Sequence, residues 1–438
     1  SIGRKSQITP LTTSSTIWRY DAAERLTRMN SKRITVFLAT LLFFGNAAFA
    51  RADEIRIGAF NDLSAATSDV GTDYALGIAE AIRFVNDEGG VNGQQITLYQ
   101  YDYGYRVPEV QAKYKFFKRM GVVAVLGWHI VDTKALSALV ARDKIPYLSA
   151  DYSADLTDPG KSPYNIFAAT DESSNARAAL TAWFDERWPL KEDYGRRRPR
   201  VQCLYMVASA ELRAPVKAIK DQAELFGFNI GPDLDISIFA TDAREQVQAM
   251  ESFKPDFVWH GNTALSVAAT LRAAMAAGLE ADHIVNSWAF DENLVRMAGD
   301  AAEGVLGASV CAFYGEDVPM MDKIIFYGEK YNPGVPVKKR SIRTTQAWAN
   351  VLALREALKR ADATGKLSGE NIMKKGFETF RGFDIGLRVS PLTYTSTDHR
   401  SSGVVNIYQI ENQKFVFMTQ IDLKGRWPDK WAKEWFGW

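Results

Sequence analysis

The chain predicts an α/β fold with parallel sheets, and three observations carry that prediction. Residues 54–102 open with Ile55, Ile57 and Ala59 alternating at strand period. A loop of small residues follows, and then Ala75, Ile78, Ala79, Ile82 and Val85 recur at helical spacing. Gly89-Gly90 ends that helix, Asn92-Gly93 turns the chain, and Ile96–Tyr101 reads as a second strand, completing a βαβ unit. The same strand–helix alternation then recurs along most of the chain.

Taken in order, Ser64–Gly71 is the first strand-end loop, and Glu80, Arg83 and Asp87 fall on the outer face of the first helix. Pro108–Met120 reads as a helix exposing Lys113, Lys115, Lys118 and Arg119, Val122–Leu126 as a buried strand, Lys134–Arg142 as a helix and Ile145–Ser149 as a strand. A helix over 172–191 stops at Trp188-Pro189, and the basic run 196–200 precedes strand Val201–Val207. That run lacks interleaved aromatics and reads as a solvated turn. Helix Ala214–Phe226 and strand Asp235–Phe239 come next, then helix Arg244–Phe253, strand Pro255–Trp259, helix Ala264–Ala277 and strand His283–Ser287, a second parallel α/β lobe. Thr344–Arg360 is a long helix with Trp348 at core spacing, and the tail gathers Trp427, Trp431, Trp435, Phe436 and Trp438, read as an aromatic cap on the second lobe.

Length and composition narrow the function. The 438 residues suffice for two cores, and 47% hydrophobic with 24% charged residues is globular. The net charge of +1 is misleading, because residues 1–52 hold eight Lys/Arg and two Asp/Glu, leaving the remainder at −5, which speaks against nucleic acid. Met29–Arg33 is a short basic segment, Ile34–Phe44 an apolar run too short to span a membrane, and Ala48-Phe49-Ala50 or Ala50-Arg51-Ala52 a cleavage site. Residues 29–52 therefore read as a signal peptide with export to the periplasm, and 1–28 as an upstream artefact. Cys203 and Cys311 each sit in an expected strand and read as separate buried thiols. His129, His260, His283 and His399 lack metal-ligand spacing, and neither a G-x-S-x-G elbow nor a P-loop occurs, so the expectation is a non-enzyme without metal or cofactor.

The order of motifs resembles the type I periplasmic solute-binding proteins of ABC transporters, the group typified by branched-chain amino-acid receptors. The resemblance rests on Asn86, Gly89, Gly90, Val91, Asn92 and Gly93 before the second strand and on Val122–Gly127 with Ile145–Ser153. Asn165–Thr170, Gly304–Gly307 and Thr393–Gln409 match three crossings between lobes. It spans about Glu54 to Gln409 and implies two Rossmann-like lobes joined by a three-stranded hinge, 53–170 plus 312–392 and 171–311 plus 393–438. It also implies a monomer that captures a small molecule for a membrane ABC permease. A periplasmic sensor module presenting ligand to a membrane receptor would use the same fold.

In such folds ligands sit beyond the carboxyl ends of the strands. That places the candidate site on Asn61–Ser68, Trp128–Thr133 and Asp151–Ser153 from one lobe, and Ser209–Leu212, His260–Thr263 and Ser287–Asp291 from the other. The family's carboxylate-gripping serines fall near His129–Val131, where Asp132 and Thr133 are the nearest polar groups, and on Ser153. Its lobe-two aromatic falls at His260 and its acid near Trp288, with Asp291 beyond. The first loop reads Leu63-Ser64-Ala65 without the usual glycine, and Ala210-Glu211-Leu212 replaces tyrosine-glycine. Aromatic side chains stand where ionic partners would be: Trp128, Tyr152, Trp288 and Phe313 or Tyr314. The leading expectation is a small aromatic or apolar carboxylate oriented by Ser153, Thr133 and His129. A quaternary amine or amide, with Asp132 or Asp291 as counter-ion, and an ordinary branched-chain amino acid remain alternatives. Ser64, on the first loop, completes the candidate set.

Overall fold

The computed structural model describes residues 54–438. The signal segment 29–52 and the extension 1–28 lie outside the described residues. Among the described residues no helix is long and apolar enough to cross a membrane.

Two sheets organise the chain. The first has the order β2-β1-β3-β4-β5, formed by β1 (Ile55–Asn61), β2 (Ile96–Asp102), β3 (Ala124–Leu126), β4 (Tyr147–Leu148) and β5 (Asn165–Ile166). Every pair in it is parallel. Helices α1 (Ser68–Asp87), α2 (Val107–Arg119) and α3 (Ile130–Asp143) make its crossovers. Between α1 and β2, Asn92 and Gly93 take φ of 49° and 87°, the left-handed pair that a two-residue turn demands, and Val91 bridges Gln94 across it.

The second sheet carries β6 (Arg200–Tyr205), β7 (Asn229–Ile230), β8 (Leu234–Asp235), β9 (Phe257–Gly261), β10 (Asp282–Val285) and β11 (Leu306–Ser309), all paired in parallel. Around it lie α4 (Glu172–Glu186), α5 (Ala210–Leu225), α6 (Arg244–Phe253), α7 (Ala264–Ala277) and α8 (Glu292–Ala298). The strand expected over 235–239 shrinks to β8. Ala240 N–H turns back to the Ser237 carbonyl, and Phe239 is exposed.

The chain then returns to the first layer through α9 (Met321–Tyr331), α10 (Ile342–Asp362) and the small pair β12 (Arg381–Phe383) and β13 (Leu392–Thr393). It finishes in the second sheet, where β14 (Val404–Glu411) runs antiparallel to β11 and β15 (Lys414–Asp422) antiparallel to β14. The second sheet is therefore mixed, which corrects the all-parallel expectation. The chain passes between the layers three times, and the crossings are tied to one another: Tyr394 Oη donates to the Phe167 carbonyl at 2.8 Å and Ser401 Oγ to that of Ala169.

Helix α10 is buried almost all round from Ile342 to Leu354, and it packs across α1. Gly77 makes room for it, since a Cβ there would meet Ala347 Cβ and the Thr344 backbone at 2.8–3.1 Å. The segment between α9 and α10 also corrects the reading of α1: Glu80, expected outside, is fully buried. It accepts from Arg340 Nη2 at 2.6 Å and from Asn332 Nδ2 at 2.5 Å.

Both cysteines are free and buried, Cys203 inside the second core and Cys311 with its Sγ 3.2 Å from Thr345 Oγ1. The basic turn is held by Arg197 on both carboxylate oxygens of Asp256 at 2.6 Å. The tail packs onto the second core through Trp431 and Trp435; Arg400 lies 3.9 Å over the Trp431 ring and Trp435 Nε1 donates to Asp221.

Removing one member of a buried ion pair leaves its partner charged and unpaired, at a cost of about 3–5 kcal/mol. Glu80→Ala leaves Arg340 with the more distant Asp73, at 3.6 Å, and is expected to lower stability in urea unfolding by about 3 kcal/mol. Lys433→Ala, at the exposed Lys433–Asp429 pair, is expected to leave the midpoint unchanged.

Candidate ligand-binding cleft

The loops beyond the carboxyl ends of β1, β3 and β4 face the loop after β10. Asp62 shapes the first of them: it accepts from the N–H groups of Ala65 and Thr67 at 2.8 Å and from Thr67 Oγ1 at 2.9 Å. Thr67 Oγ1 in turn accepts the Trp128 indole N–H at 2.8 Å, and the Trp128 ring rests on Tyr74 with centroids 5.0 Å apart. Trp128 is fully buried.

Asp132 organises the β3–α3 turn from behind. Its carboxylate accepts from the N–H of Trp128 and of His129, both at 2.8 Å, from Tyr103 Oη at 2.7 Å and from Tyr147 Oη. Four donors fill a carboxylate's acceptor sites, and burial raises its pKa. Asp132 is thus a scaffold for the turn rather than a counter-ion facing the cleft. Thr133 is likewise turned inward, donating to the His129 carbonyl at 2.8 Å and lying 2.6 Å from Ser149 Oγ.

His129, at the N-cap of α3, points its ring forward. Its Nδ1 is 2.6 Å from Tyr105 Oη, and its ring meets Trp288 edge-on with centroids 4.4 Å apart. Burial and the nearby Arg343 push its pKa down to about 4, so the imidazole is neutral at pH 7. Beyond β4, the Tyr152 ring lies nearly parallel to Trp288 at 6.2 Å. Ser153 Oγ donates to Asp151 Oδ1 at 2.7 Å; burial lifts Asp151 to about 7, and its Oδ2 is buried and unpartnered among the described residues.

Trp288 supplies the opposing wall. Besides His129 and Tyr152, it meets Trp128 edge-on at 5.6 Å. The Arg343 guanidinium, in the first turn of α10, sits 4.5 Å over its ring. Arg343 Nη2 donates to the Trp288 carbonyl at 2.6 Å and pairs with Asp291 at 3.2 Å, while Nη1 donates to Gln346 at 3.0 Å. Ser287 Oγ donates to Glu172 Oε1 at the start of α4, and burial lifts Glu172 to about 7.

The structure therefore brings together Trp128, His129, Tyr152 and Trp288, with Ser153 beside them and Asp291 behind Arg343. It does not bring in the others. Ser64 is exposed on the first loop. His260 is buried inside the second sheet with its Nε2 2.9 Å from His283 Nδ1. Tyr314 lies toward α9, its hydroxyl close to Gly328, where Arg340 also reaches.

Arg343, Glu172 and Gln346 escaped the sequence reading. Arg343 Nε, Gln346 Nε2, Glu172 Oε2 and Ser173 Oγ are buried without a hydrogen-bond partner among the described residues, whereas buried polar groups are nearly always paired. The signal was the run Arg343-Thr344-Thr345-Gln346 opening a helix whose next two turns are apolar apart from Asn350. Glu172 was hidden because an acid in a first helical turn reads as a complement to the helix dipole.

Comparison with known proteins agrees with this architecture. The profile of the periplasmic binding protein family matches residues 54–414, and the chain belongs to that family, whose members bind solutes rather than transform them. The Leu/Ile/Val/Thr-binding protein of Salmonella typhimurium is 22% identical over 274 residues, 61% of this chain and 71% of that one. The structure of an ABC transporter substrate-binding protein from Aeropyrum pernix is 29% identical with a TM-score of 0.74, covering 84% of this chain and 96% of that one. An ABC transporter solute-binding protein from R. palustris in complex with 4-hydroxybenzoate superposes with a TM-score of 0.69 over 86% of this chain and 99% of that one. At 15% identity it matches in fold.

Glu172 yields a pH prediction. Its folded pKa lies above the usual 4.5, so the fold favours the protonated acid; that contribution is complete below about pH 4.5 and is lost as pH rises through about 7. Glu172→Gln keeps the neutral shape at all pH. Its thermal midpoint, measured against the parent protein, is expected to gain steadily between about pH 5 and about pH 8.

Proposed function

We propose that this chain is the periplasmic receptor of an ABC importer, exported by cleavage of residues 29–52. On this reading it closes two lobes, 53–170 plus 312–392 and 171–311 plus 393–438, around a small aromatic or apolar carboxylate and presents it, as a monomer, to the membrane permease. The observation that carries this reading is the ring cluster in which Trp288 meets Trp128, His129 and Tyr152 beneath the Arg343 guanidinium.

The chemistry follows from those groups. Trp288 and Tyr152 lie near-parallel at 6.2 Å, and a flat ligand in contact with both faces needs about 7 Å, at about 3.5 Å per contact. A small opening motion admits it, and closure buries both of its faces. Arg343 has an Nε–H without a partner among the described residues and offers a fixed donor for the ligand's acid, its charge already shared with Asp291. Neutral His129 adds hydrogen-bonding capacity without a second charge. Because closure is driven by the ligand's stronger binding to the closed form, the residues contributed by Trp288 and Arg343 set both affinity and shape.

A specific observation favours a second reading. Glu172 Oε2 is buried next to Ser287 and unpartnered among the described residues, and an ionised Glu172 would hold the ammonium of an α-amino acid whose carboxylate met Arg343. The amino-acid name of the Salmonella relative supports that arrangement.

A thermal-shift panel with benzoate, 4-hydroxybenzoate, octanoate, leucine, valine and tetramethylammonium separates the two. A ligand at about one hundred times its Kd stabilises by about 2.7 kcal/mol. The proposal expects that effect from the aromatic acids and not from leucine or valine, with Trp288→Ala weakening benzoate affinity at least about tenfold, or about 1.4 kcal/mol. Stabilisation by leucine and valine alone, lost in Glu172→Gln, selects the amino-acid reading and overturns the carboxylate one.

A further inference from the structure

On the far side of α10 from the cleft, a groove of about 210 Å³ opens between that helix, α1 and the segment around β12. Its apolar lining is Phe84, Met320, Leu352, Phe383 and Ile385. Its polar lining comes from α10 alone: Arg355, Glu356 and Lys359. Leu352, Arg355, Glu356 and Lys359 are spaced i, i+3, i+4 and i+7, so one stripe of the helix presents an apolar floor and a charged rim.

The charges on that rim are unequal in their commitments. Glu356 Oε1 accepts from Arg360 Nε at 2.8 Å. Neither Arg355 nor Lys359 has an ion-pair partner among the described residues. The Arg355 Nε is buried with no hydrogen-bond acceptor among the described residues, although its guanidinium is only partly covered and sits 5.8 Å from the Phe84 ring. A half-buried guanidinium at the head of an apolar groove, with an ammonium one turn away, offers a carboxylate a charge-assisted donor and offers a hydrocarbon body a dry surface.

We propose that this groove is a second ligand site, independent of the cleft, that takes a monocarboxylate with an apolar chain. Arg355 holds the acid, Lys359 lies at the mouth, and the chain lies against Phe84, Leu352, Phe383 and Ile385. The volume suits a ligand below drug size, and a net positive rim excludes cationic amphiphiles of the same shape.

The test is isothermal titration with octanoate. The Trp288→Ala variant removes a wall of the cleft, so heat that remains in it with a stoichiometry of one reports the groove. The inference expects that binding to persist in Trp288→Ala, to weaken with added salt, and to fall at least tenfold when Arg355→Gln is combined with it. Leu352→Trp, which fills the floor and leaves both cations in place, is expected to abolish the same binding, and thermal melts of both variants verify that they fold. Absence of octanoate binding in Trp288→Ala, or binding indifferent to Arg355→Gln and Leu352→Trp, overturns the inference. Equal binding of octylammonium overturns the assignment of an acid.

Discussion

The cleft depends on one buried cation. Arg343 is covered on every side, and a charge in that position is tolerated only where fixed groups replace water. Here the Trp288 carbonyl, the Asp291 carboxylate, the Gln346 side chain and the face of the Trp288 ring do so. Because α10 belongs to the first layer and the 286–291 loop to the second sheet, these contacts cross between the two halves. Next to them the Ile342 N–H donates to Glu292 at 3.0 Å, so the first turn of α10 is fastened to that loop by backbone as well as side chain. The four rings are aligned because this junction holds Trp288 in place.

Around that junction the acids divide the labour. Asp132 and Asp62 are spent on backbone N–H groups and hydroxyls: Asp132 shapes the turn that carries Trp128 and His129, and Asp62 the loop whose Thr67 holds the Trp128 indole. Asp291 doubles as N-cap of α8 and partner of Arg343. Glu172 and Asp151 each keep one buried oxygen without a partner among the described residues. Loop-shaping and solute-facing carboxylates look alike as letters, and what separates them is the number of donors that the fold brings to each.

That distinction marks how far the sequence could be read. The parallel βαβ units and the long helix were legible, because hydrophobic period and glycine placement report them directly, while the three crossings were read from the family resemblance. So were Trp128, Tyr152 and Trp288, which follow strand ends. The hairpin of β14 and β15 was not: its turn residues, Asn412 and Gln413, take φ of 50° and 58° without any glycine to announce a left-handed turn. Glu80 looked like an outward charge because its partners, Asn332 and Arg340, lie more than 250 residues on, in the segment between α9 and α10. His260 occupied a strand end by count, yet the strand runs one residue further and turns its ring toward His283. In each case a partner distant in sequence decided the outcome, and a one-dimensional pattern carries no record of such partners.

The edge contact between Trp128 and Trp288, 5.6 Å apart and nearly perpendicular, has an optical consequence. Two indoles that close couple their electronic transitions, and the coupling falls steeply as the rings separate. One ring belongs to the first layer and the other to the second, so the protein carries a built-in spectroscopic ruler across its cleft. Near-ultraviolet dichroism would read the distance between the halves without any label.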